Sequence, residues 1–493
     1  MKRVISKITV IFTIVCIISA FLACKHNVNN IDKDVVDNYD YIQFEDDGYL
    51  ERAEIERKNQ LINIAKIGKW KTSDTVIENT LKDIFNNEMK SFITTSTPLT
   101  LKRIKLEKAP VIPLENSNRS SKIEECKDFE ILIYEMNASP FIGHAITSTD
   151  KRIGNIIAIV ESEYQEDISD CEFAVDYMTG FEVYIQHIAD LWNSITDEDL
   201  SNEDIQLRTP PIYVTDPAYE FFNWVKHSGN NTHILKTKWD QEPAPFNSCV
   251  VAVKGGNARY AGCTTVQVGQ ILAFHKYTKY TSSPNLARIK RKWPLASEWD
   301  GNYNWDTLTW EEKPDNNSLR DVQVQVGALL YDIAKGCLAI FGSNGTSILN
   351  VSRNIYLRKC GYTYKGTSGY SLDKIKESID AGCPVPVTGT SKEYNSNGIV
   401  KYVGHAFIVD GYFNMSCVAK KDGADDIPIT ADFVHCNVGW GGRQNGYYLS
   451  GVFAMNRGAL LKDNNGERHR TGSTKERYFN LFLRQLNMLR PKG

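Results

Sequence analysis

The pattern of apolar and polar positions divides the chain into segments of different texture. Residues 1–24 open with Lys2, Arg3 and Lys7, run apolar from Ile8 to Leu22, and end in the small Ala23 before Cys24. A basic start and an apolar stretch too short for a comfortable membrane span predict an export signal. Residues 25–47 are rich in Asn and Asp and carry little apolar periodicity, which predicts a solvated tether. Beyond it, helical spacing predicts a helix over Asn59–Met89. From Phe129 to Glu161 the β-branched and apolar runs ILIYEM and NIIAIVE flank the turn STDKR and predict strands; Phe173–Ile195 predicts a further helix. The acidic stretch Asp197–Asp204 and the prolines Pro210, Pro211 and Pro217 then mark a shift in composition, which sets a first domain at 48–205 and a second at 206–493. In the second, glycines and aromatics cluster and short strands alternate with a few helices, so the fold class expected is α+β.

Length and composition narrow the classes of function. A chain of 493 residues has room for two or three domains. A net charge of −3 supplies no broad field for nucleic acid, so no nucleic-acid partner is expected. Of eleven cysteines, Cys16 and Cys24 belong to the signal and the other nine are scattered at long intervals, an odd number with no repeated spacing. At least one is therefore free unless chains pair, and no disulfide framework is predicted. No CxxC or HExxH string and no carboxylate and histidine cluster at ligand spacing occurs, so neither metal nor cofactor is expected. The string FLAC resembles a bacterial lipobox with Phe21 where leucine is usual, which makes Cys24 the expected lipidation site and a lipid anchor the expected membrane contact. A plain secretory signal is the alternative, and under either the protein is exported, to the cell envelope or surface.

Chemistry concentrates in the second domain. In YAGCTTVQVGQILAFH, Cys263 stands directly before an amphipathic run with Val268, Ile271, Leu272 and His275 at helical spacing, so it is expected to open a helix. Unpaired N–H groups and the helix dipole there favour a thiolate. A buried structural thiol is the competing reading. His275 is excluded as its base, because twelve residues along one helix is about 18 Å at 1.5 Å per residue; it is expected to pack in the core. His405, in the strand-like YVGHAFIVDGY closed by Asp410 and Gly411, and His435, in DFVHCNVGWGG, are both placed on rigid elements, and the residues alone leave both standing. Asn437 has a side-chain carbonyl suited to orienting an imidazole. The glycines of GWGG, Gly441 among them, let backbone approach a site, and Trp440 is placed to cover it. Gln241, in KTKWDQEPAPFN, would be a surface residue if read alone.

Taken in order, WDQ and PFN, GCTTVQVGQILAFHKY, GHAFIVDGY, and VHCNVGWGG followed by NGYY resemble the streptopain family of papain-like cysteine peptidases over Trp239–Tyr448. The resemblance implies Cys263 as nucleophile, His405 as base, Asn437 as orienting residue and Gln241 as oxyanion-hole side chain, with His435 a bystander. It implies a papain-like fold, in which a helical part with the nucleophile packs on a twisted antiparallel sheet with the histidine. It further implies an inhibitory prodomain, and FIGHAITSTDKRIGNIIAIVES resembles the strand-rich part of such prodomains. Two departures stand out: Val438 replaces the tryptophan common after the asparagine, and Thr264, Thr265 and Val266 replace alanine-rich sequence.

The function implied is a secreted cysteine endopeptidase made as a zymogen, acting on protein or peptide substrates and paired with its own prodomain. Gly404, Trp440, Gly441, and Gly342 and Ser343 of FGSNGTS are the expected substrate-binding residues, with PVPVTGT near Pro384 beside them. The alternative is a catalytically inert, surface-anchored binding protein or adhesin on the same fold, motivated by Val438 and the tethered N-terminal domain.

Overall fold

The computed structural model describes residues 48–67, 70–86, 97–110, 128–165, 172–201, 214–215, 220–221, 225–228, 234–255, 258–342, 345–394, 400–420, 427–454, 460–462, 468–470 and 483–492. The signal with Cys24, the tether, the boundary expected at 205/206 and Ser343 lie outside them. The chain forms two compact units, one of Trp239–Thr363 and one of Asp46–Lys238 with Tyr364–Arg490.

In the second of these, helices α1 (Tyr49–Ile67) and α2 (Asp74–Ile84) stand where a single helix is expected, separated by Lys71, which bridges to Asp150, and by Ser73 ahead of α2. Strands β1 (Thr100–Pro110), β2 (Asp128–Ala138), β3 (Phe141–Ser148) and β4 (Ile156–Val160) follow, then helix α3 (Glu172–Asn193). β2 and β4 are the strands expected from ILIYEM and NIIAIVE, and β3 lies between them within the strand-like stretch Phe129–Glu161. β1 has no such signal: TLKRIKLEKAP carries four Lys or Arg residues, and among the described residues it is an edge strand paired only with β2. Charged side chains on an edge block pairing with other chains.

After Tyr364 come β5 (Gly366–Ser368), β6 (Val385–Tyr394), β7 (Val400–Lys420), β8 (Ile427–Asn437), β9 (Gly446–Leu449) and β10 (Arg484–Asn487). One antiparallel sheet runs in the order β1-β2-β3-β4-β9-β8-β7-β6-β10-β5, so the N-terminal strands continue the sheet that holds His405 through the pairing of β4 with β9. α3 lies on one face: Phe173 and Tyr177 pack on Tyr448, with ring centroids 5.1 and 4.7 Å apart.

The other unit is mainly helical. α4 (Cys263–His275) is buried from Thr264 to Ala273 on every side, so the amphipathic helix expected is in fact a central one. The helix Arg320–Gly336 is likewise buried along most of its length. Trp239 is fully buried, and its backbone N–H donates to Gln270 Oε1 of α4 at 3.2 Å. A mainly helical unit around a buried central helix, together with a large antiparallel sheet, makes the fold α+β.

Candidate active site

Cys263 is the first residue of α4, as its sequence context predicts. The preceding Gly262 has φ +101°, and a Cβ there would sit 2.9 Å from Thr346 Cβ, so only glycine fits both the dihedral and the space. Thr346 Oγ1 donates to the Tyr260 carbonyl at 2.7 Å. This pins the hairpin Ile340–Gly342 and Gly345–Ser347 against the approach to Cys263, and Gly342 lies in it, half-buried. No side chain caps the helix start, which leaves first-turn N–H groups to a sulfur anion or an oxyanion. Cys263 is half-buried, whereas Cys249, Cys337, Cys360, Cys383 and Cys436 are buried and burial pushes all their thiols up. Among the described cysteines, Cys263 is thus the one that reagents in solvent reach.

Gln241 belongs to the same unit. Its carbonyl accepts the Ala261 N–H at 2.7 Å, which ties it to the backbone two residues before Cys263. Its own N–H donates to Asp240 Oδ1 at 2.7 Å. The side chain is 6% exposed, and its Nε2 is buried with no hydrogen-bond partner among the described residues. An unmet buried amide donor costs about 1–3 kcal/mol. A donor kept at that cost beside a helix N-terminus suits an oxygen that arrives only with a ligand.

His405 sits in β7, paired with Gly389 of β6 and 3% exposed. Its Nε2 lies 2.9 Å from the Val438 carbonyl oxygen. A carbonyl only accepts, so Nε2 carries the hydrogen and, in the neutral ring, Nδ1 holds the lone pair that takes a proton. The ring stacks on Phe407 at 6.4 Å and 9°, and Phe173 of α3 lies 6.1 Å away. Asn437 ends β8, 2% exposed, and its Nδ2 donates to the Thr237 carbonyl at 2.8 Å. Register separates the two residues: Asn437 pairs with Ile408, while His405 alternates with Phe407 and Val409. Their side chains therefore project from opposite faces of the sheet.

His435 shares Asn437's face. Its Nδ1 lies 2.6 Å from Asp410 Oδ1 and its Nε2 3.3 Å from Glu161 Oε1. Burial pushes its pKa down, but the Asp410 and Glu161 carboxylates outweigh that and bring it up to about 10. A histidine already held as a cation takes up no further proton, which counts against His435 as a base. Asp410 does not close its strand as expected: it is the extra residue of a bulge between Val409 and Gly411, and β7 continues to Lys420. The bulge aims its carboxylate at His435 and at the Leu235 N–H, 3.0 Å away.

Among the other expected residues, Gly404 is exposed and pairs with Thr390, Gly441 is buried at φ +62°, and Trp440 is half-buried with the Arg443 guanidinium 5.5 Å over its ring. His275 is half-buried against Phe274 and Tyr362, with ring centroids at 4.8 and 5.6 Å. Val438 is fully buried; its carbonyl, not its side chain, serves His405. Phe173, Asp410 and Glu161 escape sequence reasoning because contacts distant in sequence define them. The one signal was Asp410's polar side chain inside an apolar strand.

Residues 239–448 match the Peptidase C10 family. The thiol protease/hemagglutinin PrtT of Porphyromonas gingivalis is 26% identical over 236 residues, which is 45% of this chain and 24% of that protein. The match thus spans about a quarter of that relative's length. A solved fragment of Prevotella intermedia prointerpain A aligns with a TM-score of 0.42 and 15% identity over 78% of this chain and 98% of that one. Active wild-type interpain A cysteine protease from the same organism aligns at 0.32 and 19%, over 53% and 98%. Cys263, which opens its helix, and Gln241, His405 and Asn437 all fall inside residues 239–448, so the stretch of this chain that is similar to the Peptidase C10 family carries all four.

Proposed function

We propose that this protein is an exported cysteine endopeptidase made as a zymogen, with residues 48–205 as its inhibitory prosegment. The observation that carries the reading is the half-buried Cys263 at an uncapped helix start, with the unpartnered Nε2 of buried Gln241 tied to the same backbone. The Cys263 thiolate attacks the substrate carbonyl carbon and forms a C–S bond, and the carbonyl electron pair becomes an oxyanion held by the Cys263 N–H and Gln241 Nε2. The imidazolium of His405 gives its proton to the departing amine as the C–N bond breaks. Water then yields a proton to His405 and its hydroxyl to the acyl carbon, releasing the acid and the thiolate. Asn437 orients the ring during turnover.

The resting geometry supports latency. α3 lies in the N-terminal region, and its Phe173 buttresses His405 on the face opposite Asn437. Activation then includes a change of face by the ring once α3 leaves. The same geometry favours, as a second reading, an inert binding protein in which the ring never turns. Export to the cell envelope, with Cys24 lipidated, completes the proposal.

The test is incubation of the chain from Lys25 to Gly493 beside its Cys263→Ala variant, with mass spectrometry of fragments over time. Self-trimming near 200–216 by the wild type alone supports nucleophile, zymogen and boundary together. Two inert chains, with a generic protein substrate also untouched after limited trypsin treatment, sink the peptidase reading in favour of the binding protein. Loss of labelled-palmitate incorporation in Cys24→Ala tests the anchor; equal incorporation refutes it.

A further inference from the structure

β4 and β9 join the N-terminal region to the sheet of the family domain through backbone pairing, Val160 with Gly446, Ile159 with Tyr447 and Ala158 with Tyr448. Such pairing supplies affinity but little selectivity, because every strand carries the same N–H and C=O groups. A slip by one residue would turn every β4 side chain to the wrong face. Two features oppose a slip. Gly446 passes so close to the Ile159 carbonyl that any Cβ there would collide with it. One residue beyond the last pair, the Glu161 N–H donates to the Asn445 carbonyl at 2.7 Å, and Glu161 projects from the same face as His435.

We propose that Glu161 is the recognition residue by which β4 docks on the edge of β9, its carboxylate held by the Nε2–H of His435 while Asp410 holds the opposite ring nitrogen. Both nitrogens of this ring face carboxylate oxygens, at 2.6 and 3.3 Å, and ionised carboxylates only accept. Both nitrogens therefore donate, and the ring is an imidazolium. Its side chain is 1% exposed, that of Asp410 0% and that of Glu161 12%. Asp410 compensates the buried charge permanently from within the same sheet. Glu161 is the removable member, and a strand lacking an acid at this place would leave a buried cationic N–H without its acceptor. The ligand class of the site is thus an apolar extended strand ending in a carboxylate side chain, and its occupant is this chain's own Ile156–Glu161.

This deepens the prosegment reading, and the test needs no turnover. In the full chain carrying Cys263→Ala, amide hydrogen exchange is followed in β4 and β9. Glu161→Gln is expected to speed exchange there about tenfold, the scale of one charge-assisted hydrogen bond. His435→Gln is expected to do the same, and the double variant to exchange no faster than either single one, because each removes the same pair. Unchanged exchange in Glu161→Gln, or additive effects in the double variant, overturns the proposal. Should His435→Gln not fold, Glu161→Leu replaces it: retained protection would show that packing alone docks the strand, and a tenfold gain in exchange supports the ionic pair. A wild type that cleaves nothing would sink the peptidase reading without touching this one.

Discussion

His405 and Asn437 project from opposite faces of one sheet, although β7 and β8 that carry them are direct neighbours. The register leaves no ambiguity: His405 lies opposite Gly389 and three residues before Ile408, the partner of Asn437. An odd separation along a strand means opposite faces.

Phe173 holds the resting position of His405, its ring 6.1 Å from the imidazole and 4.9 Å from Phe407. Phe173→Ala is expected to lower stability by about 3–5 kcal/mol, as for other buried phenylalanines, and to speed self-trimming of the Lys25–Gly493 chain. Phe173→Leu should lie between. A time course by mass spectrometry alongside thermal melts separates the effects: a lowered Tm with an unchanged trimming rate would mean that Phe173 does not restrain the ring.

Gln241→Ala is expected to reduce kcat by about 10²–10³-fold with KM little changed, the usual loss for one oxyanion-hole donor. The fold should tolerate the change, since Gln241 Nε2 has no partner to lose among the described residues. Steady-state kinetics on the matured enzyme decides; a loss expressed wholly in KM would make Gln241 a substrate-binding group instead.

The raised pKa of His435, about 10, has a signed consequence for stability. A histidine whose folded pKa exceeds its unfolded value of about 6.5 stabilises fully below that value and loses the contribution as pH rises through the folded one. The Cys263→Ala chain should therefore lose up to a few kcal/mol between about pH 6.5 and 10. Denaturant titrations at several pH values test this, with His435→Gln as control. Equal alkaline losses in both chains would assign the effect to other groups.

What the sequence made legible was local. β2, β4 and α3 follow from runs of one periodicity, and the start of α4 at Cys263 follows from the apolar run behind it. β1 was invisible because a charged edge strand needs no apolar alternation. The bulge at Asp410 was read as a strand end because a polar residue and a glycine carry the same signal in either setting. The faces of His405 and Asn437 depend on pairing register, which no stretch of either strand encodes alone. The Glu161–His435 contact, joining residues 274 positions apart, had no sequence signature at all.

Gly262 offers a separation of two kinds of constraint at the nucleophile. Its φ of +101° is a dihedral that side chains rarely adopt, and its missing Cβ leaves room for Thr346. Gly262→Ala is expected to cost roughly 1–3 kcal/mol through backbone strain and to slow alkylation of Cys263 by iodoacetamide about tenfold, because a shifted helix start moves the first-turn N–H groups away from the sulfur. Adding Thr346→Gly removes the side-chain collision but leaves the dihedral. The double variant should therefore regain part of the stability and little of the alkylation rate. Full recovery of the rate would show that clearance beside Thr346, and not the backbone conformation at residue 262, sets the reactivity of Cys263.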